Sequence, residues 1–381
     1  MLEAYDYKHV IDIGFPCDRT PEDRKSRRLP AGMTIVAPDN HWSLSEDIFI
    51  DRFPEHLKDR APHVWQSNGT WHVGFNGKSL LPEFYEKIFA TFDVVPGCFD
   101  MNARLHDLNI EGIEKEMVFP NGFFAAVFYP DFEVREWMLR IYNEYVAELQ
   151  AKSNGRFFGV GFPAFWDVGK FVESVQHIKQ LGLKSIVLPN NPGKNPQGKE
   201  IVYQDDDMQP CWAAIEEAGL PVNFHIGESF ADGRGGYPIS TMLNFAGLRK
   251  PLSQLIFGGI FDRHPSLQVA FQEAGILWAA SCLHDAEIAY ASQARISDWK
   301  LAHPPRHYWQ NHCYVSFMSD PLGLKIIDSV GVDRVMWTPD YPHPEGTLGY
   351  GWKAIQDVID ALGEENAAKV LGRTAQKLFN F

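Results

Sequence analysis

Arg334-Val335-Met336-Trp337-Thr338-Pro339-Asp340-Tyr341-Pro342-His343-Pro344 is the stretch on which the reading of this chain turns. An apolar run stops at an acid, and a histidine follows three residues later. A short buried strand that delivers a carboxylate and an imidazole at its C-terminal end is how a barrel of parallel strands builds a metal site. Two further runs end in the same way. One is Pro221-Val222-Asn223-Phe224-His225, and the other is Thr34-Ile35-Val36-Ala37-Pro38-Asp39-Asn40-His41. Three strand ends that carry Asp and His point to one shared site and to a metal-dependent enzyme.

Working outward, eight nearly continuous apolar runs predict buried parallel strands. They centre on Thr34–Pro38, Lys115–Phe119, Phe157–Phe162, Ser185–Leu188, Pro221–Phe224, Leu267–Phe271, Cys313–Phe317 and Arg334–Trp337. Helical spacing of apolar residues lies between most of them, over Phe132–Lys152, Val168–Leu181, Met208–Glu217 and Gly323–Val330. Gly182, Gly219 and Gly331 follow three of these helices as C-caps. Ala354–Phe379 predicts a closing helix. Repeated strand–helix alternation gives the fold class: α/β, a (β/α)8 TIM barrel. Residues 1–30 read as an N-terminal extension and 31–381 as one barrel domain. Residues 42–110 interrupt the rhythm with a long aromatic-rich insertion between strands one and two. A connection of that length reads either as a lid over the site or as a subdomain with its own small core.

Composition narrows the function. The 35 Lys+Arg against 49 Asp+Glu give a net charge of -14, which argues against nucleic acid or an anionic membrane as partner. No apolar run approaches the roughly 18 residues needed to cross a bilayer. The five cysteines are widely spaced, with no Cys-x-x-Cys, so a reducing cytoplasm is expected. The partner is then a small-molecule substrate.

If the barrel forms, strand ends one, five, six and eight converge on its C-terminal face. They present Asp39 and His41, then His225, then Glu273, then Asp340 and His343. Imidazoles and carboxylates suit Zn, Mn or Fe, and a catalytic ion keeps a position open. Together with Gly259-Ile260-Phe261-Asp262-Arg263-His264-Pro265 and Glu273-Ala274-Gly275-Ile276-Leu277-Trp278, these motifs resemble the amidohydrolase superfamily. The branch is that of aminocarboxymuconate semialdehyde decarboxylase and γ-resorcylate decarboxylase, over roughly residues 33–379. The resemblance implies a divalent metal held by His41, His225 and Asp340, with hydrolysis or non-oxidative decarboxylation as the reaction. It leaves room for a homodimer. This sequence departs from the family at two points: Asp39 stands where His or Glu usually precedes the strand-one histidine, and Glu273 stands where the decarboxylases carry a histidine. Strand four ends Leu188-Pro189-Asn190-Asn191, without the lysine or glutamate that bridges two metals in relatives, which favours one ion.

Each residue also has a plainer reading. Asp39 either joins the ligands or caps the turn after Pro38. Glu273 is a catalytic acid or additional ligand, or it caps the helix that begins near Leu277. His343 orients substrate, bonds Asp340, or stabilises its turn. Glu46 reads as surface before it reads as an additional ligand. His264, His284, His303, His307 and His312 read as structural, the last three in a polar linker. Asp340, Glu273 and His343 are the expected catalytic groups. Two other function classes remain open: a non-haem diiron monooxygenase on the same fold, and a binding protein without catalysis.

Overall fold

The computed structural model describes residues 29–67, 70–80, 95–122, 129–231, 233–293, 296, 300–343, 346–348 and 351–381. Most of the proposed N-terminal extension, and the aromatic stretch 81–94 of the insertion, lie outside the described residues. The chain divides into two compact units, Met1–Gly159 with Trp337–Arg373, and Val160–Met336 with Thr374–Phe381.

In the first unit, β1 (Ile35–Trp42), β5 (Ile113–Pro120) and β6 (Phe157–Gly159) form a parallel sheet in that order. Its core is aromatic. Trp42 meets Phe157 edge-on at 5.6 Å and donates its indole N–H to the Tyr145 hydroxyl at 3.3 Å. Tyr145 lies on the helix Phe132–Lys152, which Asp131 caps through the amides of Glu133 and Val134. The insertion contributes an antiparallel sheet, β2 (His63–Ser67), β3 (Thr70–Phe75) and β4 (Lys78–Ser79), and the helix Met101–Glu111.

In the second unit a five-stranded sheet runs in the order β11-β10-β9-β8-β7. Its strands are β7 (Ile186–Val187), β8 (Val222–His225), β9 (Val269–Gln272), β10 (Cys313–Phe317) and β11 (Val335–Trp337). Neighbours from β7 to β10 are parallel. Phe224 and Phe271 stack at 5.9 Å on one face of this sheet. The opposite face of the same strands carries Asn223, His225 and Gln272, because side chains alternate along a strand.

All eight expected strands are present, but β1 runs on to Trp42 instead of ending at Pro38. The cause is a bulge: Ala37 pairs with Glu116 and Asn40 with Val118, so β1 holds one extra residue between these pairs. Two expected helices are broken, and others were not expected. Gly323–Val330 is two short helices, Pro321–Lys325 and Ile327–Val330, broken at the non-helical Ile326. The closing helix breaks at Gly363 (φ 71) and becomes a π-turn over Lys369–Arg373. There Gly372 lets the backbone approach the Thr34 carbonyl, which a Cβ would strike. Gly236–Gly247 and Arg249–Phe257 are helices the sequence did not signal, because Gly, Pro and Ser obscure their spacing. His307 and His312 lie on the helix Pro305–His312, not in a linker, and His312 Nδ1–H donates to the Leu267 carbonyl at 2.9 Å. Among the described residues no helix is long and apolar enough to cross a membrane.

Candidate metal centre

The β1 bulge falls just where chemistry is needed. Beyond it Asp39 and His41 share one face of the strand, and Asn40 faces the other way, towards Glu116 on β5. His41 Nε2 lies 3.1 Å from Asp340 Oδ1 and 3.6 Å from Asp39 Oδ1. His343 stacks on His41 with ring centroids 3.8 Å apart and places Nδ1 3.2 Å from Asp340 Oδ2. His41, Asp340 and His343 thus each bring a ligand atom within 4.8 Å of the others. Asp39 and Asp340 are fully buried. Two carboxylates taken out of water this close together call for a cation among them. Nitrogen and oxygen donors in this mixture suit a divalent first-row metal.

The backbone is shaped to present these groups. Asp340 adopts a left-handed conformation (φ 54), which an aspartate tolerates. The Thr338 hydroxyl donates to the Asp39 carbonyl, and the His41 amide donates to the Tyr341 carbonyl at 2.7 Å. The segments that carry Asp39, His41 and Asp340 are therefore stitched together directly. His343 Nε2 meets Asn121 Oδ1 at 2.9 Å, and the Asn121 amide nitrogen donates to Ser43 at 2.9 Å. His343 is thus held between Asn121 at Nε2 and Asp340 at Nδ1. Glu46 is exposed on the loop after β1, apart from this cluster.

The second unit holds a smaller group. His225, at the end of β8, places Nε2 3.4 Å from Glu273 Oε2, and both residues are buried. The Nδ1–H of His225 donates to the Ile226 carbonyl at 2.6 Å, which leaves Nε2 as the donor atom for a metal. Glu273 follows β9 in a left-handed conformation (φ 56), and its amide donates to the Ser316 hydroxyl at 2.8 Å. Among the described residues the non-glycine positions with positive φ are three asparagines, Glu273 and Asp340. Asparagine visits this region readily. A glutamate there costs roughly 1–3 kcal/mol, which the surroundings must repay.

Several supporting residues carry no sequence motif. Arg104, from the insertion, is completely buried and grips both oxygens of buried Glu116 at 2.9 and 2.7 Å. Burial opposes its charge, yet the Glu116 carboxylate keeps its pKa above the ordinary arginine value. In the second unit the Glu228 carboxylate accepts the amides of Asn190 and Asn191, the latter at 2.9 Å. Burial pushes the Glu228 pKa up to about 7, against the pull of those two amides. The Asn190 side chain then donates to the His225 carbonyl at 2.6 Å. Beneath His225 a neutral chain crosses three strands: Gln272 donates to Asn223 at 2.7 Å, and Asn223 donates to Ser185 and to the Ile186 carbonyl.

Residues 51–381 match the amidohydrolase family. The match begins after β1, so the placing of Asp39 and His41 rests on their geometry. The chain is 24% identical over 302 residues to 2-amino-3-carboxymuconate-6-semialdehyde decarboxylase of Dictyostelium discoideum, covering 76% of this chain and 78% of that one. Among solved structures, an amidohydrolase from Mycobacterium avium subsp. paratuberculosis superposes with a TM-score of 0.74 at 18% identity, over 92% of this chain and all of that one. A 5-carboxyvanillate decarboxylase from Novosphingobium aromaticivorans, crystallised with manganese and 4-hydroxy-3-methoxy-5-nitrobenzoic acid, gives 0.67 at 18% identity, over 92% and 97%. These likenesses show the (β/α)8 fold, whose strand ends carry the catalytic groups. With that fold, with imidazoles and carboxylates gathered at those ends, and with the family matched over most of its length, this chain belongs to the amidohydrolase family of metal-dependent enzymes.

Proposed function

We propose that this enzyme removes CO₂ without oxidation from an aromatic or similarly apolar carboxylic acid. The observation that carries the proposal is the buried group of His41, Asp340 and His343, with Asp39 alongside. Decarboxylases among the relatives support it. Asp39, His41, Asp340 and His225 would hold the ion, manganese or zinc. When bound, it withdraws charge from the substrate carboxylate and from a hydroxyl next to it.

Glu273 is the proposed proton donor. In its acid form it passes its proton to the ring carbon that bears the carboxylate. The carbon–carbon bond then breaks, its electron pair returns to the ring, CO₂ leaves, and Glu273 takes a proton back from water. The left-handed backbone at Glu273 and the hydrogen bond from its amide to the Ser316 hydroxyl fix the backbone from which the carboxyl projects. His343, locked by Asn121, keeps Asp340 turned towards the ligands. The aromatic-rich insertion supports an apolar substrate. The wide spacing of the five cysteines, with no Cys-x-x-Cys, supports a reducing compartment such as the cytoplasm.

The test joins elemental analysis of tag-free protein to CO₂ release from a panel of ortho-hydroxybenzoates with Mn²⁺ supplied. About one manganese or zinc per chain together with CO₂ release is expected. Ester or amide cleavage without CO₂ would replace decarboxylation by hydrolysis. Two irons and oxygen uptake would replace it by oxygenation. No metal after reconstitution would sink the site.

A further inference from the structure

An arginine is almost never fully buried unless it is paired, and Arg104 is buried completely in a segment whose sequence suggested a lid. Where its bonds go is informative. Nε and Nη2 engage both oxygens of Glu116. Nη1 donates to the carbonyl of His41 at 2.9 Å and reaches that of Gly97 at 3.4 Å. The guanidinium lies 4.3 Å above the ring of Tyr341. Glu116 also accepts the side-chain amide of Asn40 at 2.7 Å, and Asn40 Oδ1 accepts the Tyr341 amide at 2.9 Å. Apart from the Gly97 contact, each path from the ion pair ends on His41 or on Tyr341, the neighbour of Asp340. Tyr341 is held at its far end too, where its hydroxyl donates to Asp107 of the same helix as Arg104. Gly97 makes room for that bond, since a Cβ there would strike both the Tyr341 hydroxyl and the Asp107 carboxylate.

We propose that Arg104 is a positioning residue for the metal centre. The end of the insertion, Gly97 to Asp107, acts as a bracket that sets the spacing between His41 and Asp340. Stability alone does not call for an ion pair here, because a buried pair replaced by apolar side chains of like volume is often as stable or more so. What apolar side chains cannot supply is a fixed array of donors aimed at one carbonyl and one carboxylate. The inference rests on the reading that His41 and Asp340 hold the metal.

The test compares the wild type with Arg104→Met/Glu116→Met and with Arg104→Lys. The double variant removes both charges and leaves neither partner stranded. Three quantities are read on each protein: thermal midpoint without metal, Mn²⁺ affinity by chelator competition, and the electron paramagnetic resonance spectrum of bound Mn²⁺. The double variant is expected to melt near the wild type yet bind Mn²⁺ about 10- to 100-fold more weakly, as residues behind metal ligands generally do when removed, with an altered spectrum. Lysine at 104 keeps the charge but loses the fork, so affinity should not recover. If the double variant does not fold, Glu116→Gln takes its place with the same expected loss of affinity. A folded variant with wild-type affinity and spectrum overturns the bracket. A wild type that binds no Mn²⁺ overturns instead the metal reading beneath it.

Discussion

The strand ends that carry the proposed ligands in the two units are held by opposite means. In the first unit a charged bracket surrounds them, where Arg104, Glu116 and Asn40 tie the backbone of His41 to that of Tyr341. In the second, His225 rests above a neutral chain of Gln272, Asn223 and Ser185, with Glu228 and Asn190 behind its carbonyl. The difference follows the charge each must manage. Asp39 and Asp340 put two buried carboxylates beside the imidazoles of His41 and His343, so small displacements change the local potential steeply at low dielectric. A rigid fork resists such displacement. One imidazole and one carboxylate, as at His225 and Glu273, are less demanding, and amide bonds suffice.

Paired substitutions give the largest effect and break the comparison most directly. Asp340→Ala should empty the metal site, so bound metal and activity fall together, by more than the roughly 100-fold that marks a merely supporting residue. Glu273→Gln should keep the metal and lower kcat by about 10²- to 10⁴-fold, the range for a lost proton donor. Metal analysis beside steady-state kinetics separates the two. Equal metal loss in both variants would show that Glu273 is a ligand and would end the division of labour.

The neutral chain gives the next effect. Asn223→Leu should strand the Gln272 amide and the Ile186 carbonyl in the core, at about 1–3 kcal/mol for each buried group left unsatisfied. The denaturation midpoint should drop without a change in slope. A variant as stable as wild type would mean that these bonds hold nothing, and the second unit would need another account.

These two layers of the site differ in how far the sequence disclosed them. Strands were legible because buried parallel strands are apolar throughout, and each run stops where polar residues begin. Asp39, His41, His225, Glu273, Asp340 and His343 stood out for the same reason, as charges placed where an apolar run ends. The bulge that carries β1 on to Trp42 left no trace, since one extra residue alters pairing and not composition. Arg104, Asn121 and Glu228 lie in loops or helices among many polar residues and were missed. Glu116 and Asn223 could have been found. Each is a polar residue inside a run read as a buried strand, and a buried polar group must have a partner. Asking for the partner of Glu116 would have led to the few arginines nearby in the chain.

The smallest effect separates the layers by pH. Glu228 has a folded pKa of about 7 against about 4.5 in its ordinary state, because burial disfavours its charge. Between those values the folded chain keeps a proton that the unfolded chain has released. Stability conferred by that proton is complete below about 4.5 and is lost as pH rises towards 7, amounting to at most about 3 kcal/mol. Denaturation of metal-free protein at pH 5 and pH 7.5 should therefore show the wild type losing more stability on the way up than Glu228→Gln, which has no proton to release. The Arg104 bracket contributes nothing to this difference, because both proteins carry it unchanged. Equal pH slopes for the two proteins would mean that the amides of Asn190 and Asn191 outweigh burial. The loop behind His225 would then be held by a charge after all, and the two units would be built alike.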